Sequence, residues 1–222
     1  MIDWMGLHGN HLHEVEERHQ LHSEALLAYK AMQLSAINDG IDLQLVSSYR
    51  SFDRQLAIWN NKWNGGATLY DPLGQPLVFE TLTDKQKLFA ILTWSALPGA
   101  SRHHWGTDMD VFDYQRVKAW GEPFELVTAE YEGNGPCAEL SFWLSDNMES
   151  FGFYRPFDAY TGGVAAEPWH ISFKTTAETY EKERNAKALL QHLQSANISG
   201  LSTIEACFTE IFPRFVLNRG TL

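Results

Sequence analysis

The sequence predicts an α+β fold, with a small, mainly antiparallel sheet flanked by helices. Three observations carry that expectation. Helical apolar spacing recurs along most of the chain; the stretches with strand alternation are short and non-adjacent; and no regular strand–helix–strand alternation joins them. The first helical pattern covers 14–38, where Val15, Leu21, Ala25, Leu26, Ala28, Tyr29, Met32 and Ile37 recur at helical spacing. Asp39-Gly40 breaks it, and 41–46 (IDLQLV) then alternates as a strand does. Ser51 stands where an N-cap is needed for a helix reaching Trp63. Gly65-Gly66 and residues 71–76 mark a loop. Thr83-Asp84-Lys85-Gln86 reads as a capping box in front of an apolar helix over 88–97, which Pro98-Gly99 ends. A turn rich in Gly and His leads into 107–112, which alternates apolar and acidic residues as a strand. Residues 138–151 form a short amphipathic pattern, 164–173 has strand character, and 175–193 is strongly helical. The tail from Ser202 adds one more helix before Pro213. Nothing between these elements is long or polar enough to be a linker, so one domain over 1–222 is expected.

Composition excludes several classes. With 44% hydrophobic and 13% aromatic residues, most of the 222-residue chain is expected to be ordered. Lys and Arg number 17 against 28 Asp and Glu, a net charge of -11, which argues against nucleic acid and anionic membrane as partners. The most apolar stretch, 88–97, is about half the length that spans a bilayer and is interrupted by Thr93 and Ser95. The first residues hold no Lys or Arg before Arg18 and no apolar core, so no export signal is expected, and the location read from this is cytoplasmic. Cys137 and Cys207 are too few for a four-thiolate metal site and are expected as free thiols.

Chemistry concentrates in three short stretches: 47–51 (SSYRS), 101–110 (SRHHWGTDMD) and 167–170 (EPWH). His103 and Asp110 are seven positions apart, with Gly106 between them where the chain can turn sharply. A loop followed by a strand brings an imidazole and a carboxylate to one point. With His170 they make a set of the kind that holds a catalytic zinc: three protein ligands and one exchangeable position. Glu167 lies beside them as a base for the attacking water. Each residue has a plainer reading: a His pair in a loop can be packing, Asp110 can cap a turn, and Glu167 can be a solvated acid before a proline.

Taken together and in order, the stretches point further. SRHHWGTDMD resembles the Ser-x-His-x-x-Gly-x-x-x-Asp motif of the zinc D-alanyl-D-alanine carboxypeptidases of the VanY/VanX type. These belong to a wider group that includes lysostaphin-like endopeptidases and the hedgehog amino-terminal domain. EPWH resembles the family's Glu-x-Trp-His motif and SSYRS its upstream Tyr-Arg-Ser, so the resemblance covers roughly 41–173, with a helical extension over 174–222. It implies a hedgehog/D-Ala-D-Ala peptidase-like fold and one zinc ion held by His103, Asp110 and His170. It also implies Glu167 as general base and acid, and Arg50 as the donor that stabilises the oxyanion, a contribution of about 3 kcal/mol. Ser101 matches a substrate contact near the cleaved end, with Gln55 a looser match and Tyr49 beside Arg50. A buried ion pair with Asp53 or Asp110 is the plainer role for Arg50.

The chain departs from the pattern at Asp108, where better-known members have a small residue. In an extended strand Asp108 and Asp110 share a face, so Asp108 is expected to orient an imidazole or accept from a substrate amine. His104 is expected just behind the ligands. Glu167 and His170, three apart, would lie on opposite faces of a regular strand. Pro168 therefore suggests a bulge or edge there. Five N-terminal histidines, His8, His11, His13, His19 and His22, imitate a metal cluster. His13 with Glu14 begins a zincin-like His-Glu-x-x-His, but position 17 is Glu, and a solvated helix face is the expectation. Trp59 and Trp63, four apart, are expected in the core.

The function expected is a carboxypeptidase releasing the terminal D-alanine of peptidoglycan stem peptides, as an LD-carboxypeptidase on tetrapeptides in cytoplasmic muropeptide recycling. A DD-carboxypeptidase on pentapeptides, a wall endopeptidase and a catalytically silent zinc module are the alternatives. The C-terminal helices are expected to shape a wall of the cleft or to bury a dimer surface.

Overall fold

A hairpin of β1 (Leu12–Glu16) and β2 (His19–His22) leads directly into helix α1 (Ser23–Asn38) in the computed structural model, which describes residues 3–16 and 18–221. The helix expected from residue 14 therefore begins at Ser23. His22 is extended (φ −60°, ψ 142°), and its Nδ1 caps α1 by accepting from the Glu24 N–H at 3.4 Å. Only Val15 and Leu21 are apolar in 14–22, too few to tell a helical period from a strand's. The N-terminal histidines thus lie on and before a hairpin and not on a helix face; position 17 lies outside the described residues.

After α1 the chain forms β3 (Leu43–Ser47) and α2 (Phe52–Trp63), where Ser51 Oγ accepts from the Arg54 N–H at 3.2 Å as the cap. Helix α3 (Asp84–Trp94) starts on the expected capping box: Thr83 Oγ1 accepts from Gln86 N–H at 3.3 Å, and Gln86 Oε1 accepts from Thr83 N–H at 2.9 Å. Then follow β4 (Asp108–Asp113), a short α4 (Tyr114–Trp120) absent from the sequence reading, α5 (Ala138–Asn147), β5 (Phe153–Tyr154) and β6 (His170–Phe173). The strand expected over 164–173 is confined to its last four residues, because His170 N–H bonds back to Glu167 O at 3.1 Å and turns the chain just before the ladder. The helix expected over 175–193 is two, α6 (Lys174–Glu183) and α7 (Ala186–Ser195), broken where Asn185 Oδ1 caps the second by accepting from Ala188 N–H at 2.9 Å. Helix α8 (Leu201–Ile211) stops before Pro213, as expected, and a wider turn carries the chain through Phe212–Val216.

Four strands make one antiparallel sheet in the order β3-β4-β6-β5. Its register places Asp110 opposite His170 and Asp108 opposite Ser172. Because side chains alternate, Met109, Val111 and Ile171 all point to the other face, where they are fully buried against Tyr29, Met32 and Ala36 of α1 and Leu140 and Leu144 of α5. One face of β4 and β6 is thus apolar core, and the other presents Asp108, Asp110, His170 and Ser172. A second apolar cluster gathers α2, α3, α7 and α8 around Trp59, Leu88, Leu92, Leu189 and Ile204. Trp59 and Trp63 stack there at 6.3 Å, as their spacing predicts. Cys137 and Cys207 are free. Among the described residues no helix is long and apolar enough to cross a membrane.

Candidate active site

The loop between α3 and β4 delivers the first ligand. A single turn at Arg102–Trp105 ends on Gly106, which is left-handed (φ 69°) and redirects the chain into β4. His103 on that turn faces Asp110: Nε2 lies 3.3 Å from Asp110 Oδ2. His103 Nδ1 donates to Ser48 O at 2.8 Å, which fixes the tautomer and leaves Nε2 as a lone pair toward the carboxylate. His170 uses the opposite nitrogen. Its Nε2 donates to Asp108 Oδ1 at 2.9 Å, which leaves Nδ1 as the nitrogen a metal would take, 3.2 Å from both Asp110 Oδ1 and Glu167 Oε2. One donor atom from each of His103, Asp110 and His170 lies within 4.8 Å of the others, the only such group among the described residues.

These residues fit a zinc ion. Two imidazole nitrogens and a carboxylate oxygen are zinc donors. Asp110 Oδ1 is buried without a hydrogen-bond donor, a lone pair turned toward the space between the two imidazoles. The electrostatics agree. Burial works against charging His170, yet its bonds to Asp108, Asp110 and Glu167 raise its pKa well above the ordinary value, so this pocket favours positive charge. Burial likewise works against charge on Asp110, but His103 and His170 hold its carboxyl well below the usual range.

Asp108 is fully enclosed. Its Oδ1 accepts from Arg102 Nε at 2.6 Å and from His170, and its Oδ2 accepts from Thr107 Oγ1 at 2.7 Å and Ser172 Oγ at 2.9 Å. Burial opposes ionisation there, but Arg102 and His170 hold the carboxyl well below its ordinary range. Asp108 thus orients an imidazole, and the expected alternative, acceptance from a substrate amine, is corrected: no acceptor site is left. Arg102 also pairs with Glu181 and donates to Tyr154 Oη at 2.8 Å and Ser172 Oγ at 2.9 Å. Arg102 and Glu181 were missed in the sequence. Ser172 could have been found there, since it stands two after His170 and shares its face.

A cleft of about 1420 Å³ opens onto this cluster, lined there by Arg50, Ser101, His103, Asp110, Glu167 and His170. Glu167 reaches the metal position from the turn that precedes β6, so no bulge within the strand is needed. Arg50 is held by neutral partners: Nη1 donates to Gln55 Oε1 at 2.8 Å and Nη2 to Ser47 Oγ at 3.1 Å. Among the described residues it forms no ion pair with Asp53 or Asp110. Burial lowers its pKa, against the pull of Asp110 and Glu167. Gln55 is a correction: it is fully buried, bonded to Arg50, Ser95 and Ala96, and positions Arg50 instead of facing the cleft. Tyr49 also turns away, its hydroxyl donating to Gly6 O at 3.4 Å. His104 stands behind the ligands, donating from Nδ1 to Arg50 O at 2.5 Å and accepting from Gly99 N–H at 3.0 Å; burial takes its pKa down to about 3, so it is neutral. The N-terminal histidines stay apart from the site: His11 and His22 pack with Tyr180, at ring distances of 5.9 to 6.5 Å. The C-terminal region forms a wall of the cleft through Glu181, Arg184, Val216 and Leu217.

An antiparallel sheet that carries Asp110 and His170 on one face, with His103 and Glu167 brought beside them by the adjoining turns and a cleft open to all four, defines a zinc metallopeptidase active site. The family model for VanY, D-alanyl-D-alanine carboxypeptidase, matches residues 18–176, and the chain belongs to that family. Two uncharacterized proteins of Haemophilus influenzae are similar: one is 34% identical over 127 residues, 56% of this chain and 96% of the relative. The other is 46% identical over 79 residues, 36% of this chain and 54% of the relative, so the chain spans only about half of that second protein. Among solved structures, the LdcB LD-carboxypeptidase superposes with a TM-score of 0.54 at 23% identity, over 81% of this chain and 76% of that one. The zinc-bound mutant of the vancomycin-resistance D,D-pentapeptidase VanY superposes with a TM-score of 0.52 at 24% identity, over 76% and 83%. At these identities the two structures speak for the fold alone.

Proposed function

We propose that this protein releases the C-terminal D-alanine from peptidoglycan stem peptides, acting as an LD-carboxypeptidase on tetrapeptides during muropeptide recycling in the cytoplasm. The observation that carries the hydrolase reading is the meeting of three elements in one cleft: the His103–Asp110–His170 cluster, Glu167 at 3.2 Å from His170 Nδ1, and Arg50, which has no acidic partner among the described residues. Zinc held by the three residues would acidify a water and polarise the scissile carbonyl. Glu167 accepts the proton of the attacking water and returns it to the departing amine as the C–N bond breaks. Arg50, fixed by Gln55 and Ser47, points its guanidinium at the charge growing on the carbonyl oxygen. A metal held only for structure would need neither group.

The choice of tetrapeptide rests on the compartment expected from the sequence. Cleavage of pentapeptides in the cytoplasm would destroy the precursor of wall synthesis, whereas tetrapeptides arrive there as recycling products. The family description favours the second reading, D-Ala-D-Ala cleavage of pentapeptides. Mass spectrometry of zinc-loaded protein incubated separately with muramyl tetrapeptide and pentapeptide decides between them. Loss of one alanine from the tetrapeptide alone is expected. Glu167→Ala is expected to lower the rate at least ~100-fold with zinc content unchanged. Loss from the pentapeptide alone makes it a DD-carboxypeptidase; release from neither overturns the carboxypeptidase reading.

A further inference from the structure

We infer that Lys62 recognises the free C-terminal carboxylate of the substrate and so makes the cleft selective for chain ends. The inference rests on the carboxypeptidase reading above. Four cationic side chains line the cleft: Arg50, Lys62, Arg102 and Arg184. Arg102 is paired with Asp108 and Glu181, and Arg184 reaches Glu181 at 3.8 Å. Arg50 is anchored by neutral groups, and the mechanism proposed above assigns it to the scissile carbonyl. The Lys62 ammonium has no ion pair or hydrogen bond among the described residues, although the chain carries 28 acidic residues against 17 basic ones.

Its position is that of a second recognition charge. Lys62 lies on α2 one turn beyond Ile58, and both line the cleft whose catalytic end holds Arg50. It is close enough to Arg50 and Glu167 for each to act on it. Burial lowers its pKa and Arg50 adds to that, while Glu167 pulls the other way. A half-buried ammonium beside a guanidinium is unfavourable until an anion arrives. A substrate cut one residue from its end supplies the missing charge: its carboxylate lies one residue beyond the carbonyl that Arg50 addresses. Gln55, the other polar candidate on α2, is enclosed and leaves that place to Lys62.

The test uses zinc-loaded protein and the stem tetrapeptide prepared as its free acid and as its C-terminal amide. Lys62→Met is expected to lower kcat/KM for the acid about 10- to 100-fold, mostly through KM. It should leave the slower cleavage of the amide unchanged, and Lys62→Arg should restore most of the loss. Equal losses on acid and amide, or a loss in kcat alone, would overturn the assignment. Calorimetry on the Glu167→Ala protein, with and without Lys62→Met, gives a reading independent of turnover. The acid should bind more tightly than the amide only where Lys62 is present. A wild type that releases no alanine yet shows this preference would sink the hydrolase reading and keep the carboxylate site; absence of any preference would sink the site itself.

Discussion

The two histidines of this site present different nitrogens to the metal position, and in each the choice is made by the partner of the other nitrogen. Ser48 O takes the Nδ1 proton of His103, and Asp108 takes the Nε2 proton of His170. Such partners fix the ring and raise its basicity, and their loss weakens metal binding about 10- to 100-fold. Asp108→Asn is therefore expected to lower zinc affinity by that factor, measured by competition with a chelating dye; unchanged affinity would show that the negative charge of Asp108 plays no part in presenting His170 to the metal. The ligands were legible in the sequence because their chemistry is carried by residue type and their convergence by the alternation of β4. The directions of Gln55 and Tyr49 were not. Both stand beside Arg50, but one side chain is captured by Ser95 and Ala96 and the other by Gly6, partners 40 or more residues away in sequence.

At the scale of elements, the catalytic turn is held from outside by the N-terminal segment. Gly106 O accepts from His22 N–H at 2.8 Å, Trp105 Nε1 donates to Trp4 O at 3.0 Å, and Gly6 lies against the His104 ring. Gly106 is required twice over: its φ is left-handed, and a Cβ there would fall 2.5 Å from Leu12 Cδ2 and 2.9 Å from His22 N. Gly106→Ala should destabilise the fold by about 1–3 kcal/mol and lower Tm in a thermal melt, since it combines strain with displacement of the hairpin. A Tm equal to wild type would mean that the hairpin yields freely. The caps at Ser51 and Thr83 were readable because they are local. The hairpin over 12–22 was not, since its strands are polar and their pairing depends on the loop they cover. The turn at 167–170 escaped for a similar reason: Pro168 announced an irregularity but not its kind.

For the whole molecule, the sheet places one apolar cluster behind β4 and β6, while the second cluster forms around α3 and the C-terminal helices. We propose that both belong to one domain over 1–222, which predicts a single unfolding transition seen alike by tryptophan fluorescence and circular dichroism; two separated transitions would contradict it. The α+β class was legible from short, scattered strands among helices. The part of the C-terminal helices in the cleft wall was open in the sequence, because which face of a helix meets a cleft depends on packing far from its own residues. One zinc ion at His103, Asp110 and His170 is expected to drive peptide hydrolysis. Titrating metal-free protein with zinc while following alanine release tests it most directly. Activity should rise in proportion and level off at one equivalent, and His103→Ala should neither bind that equivalent nor turn over. Release that is full without zinc, or that persists in His103→Ala, would show that hydrolysis does not depend on zinc at this site.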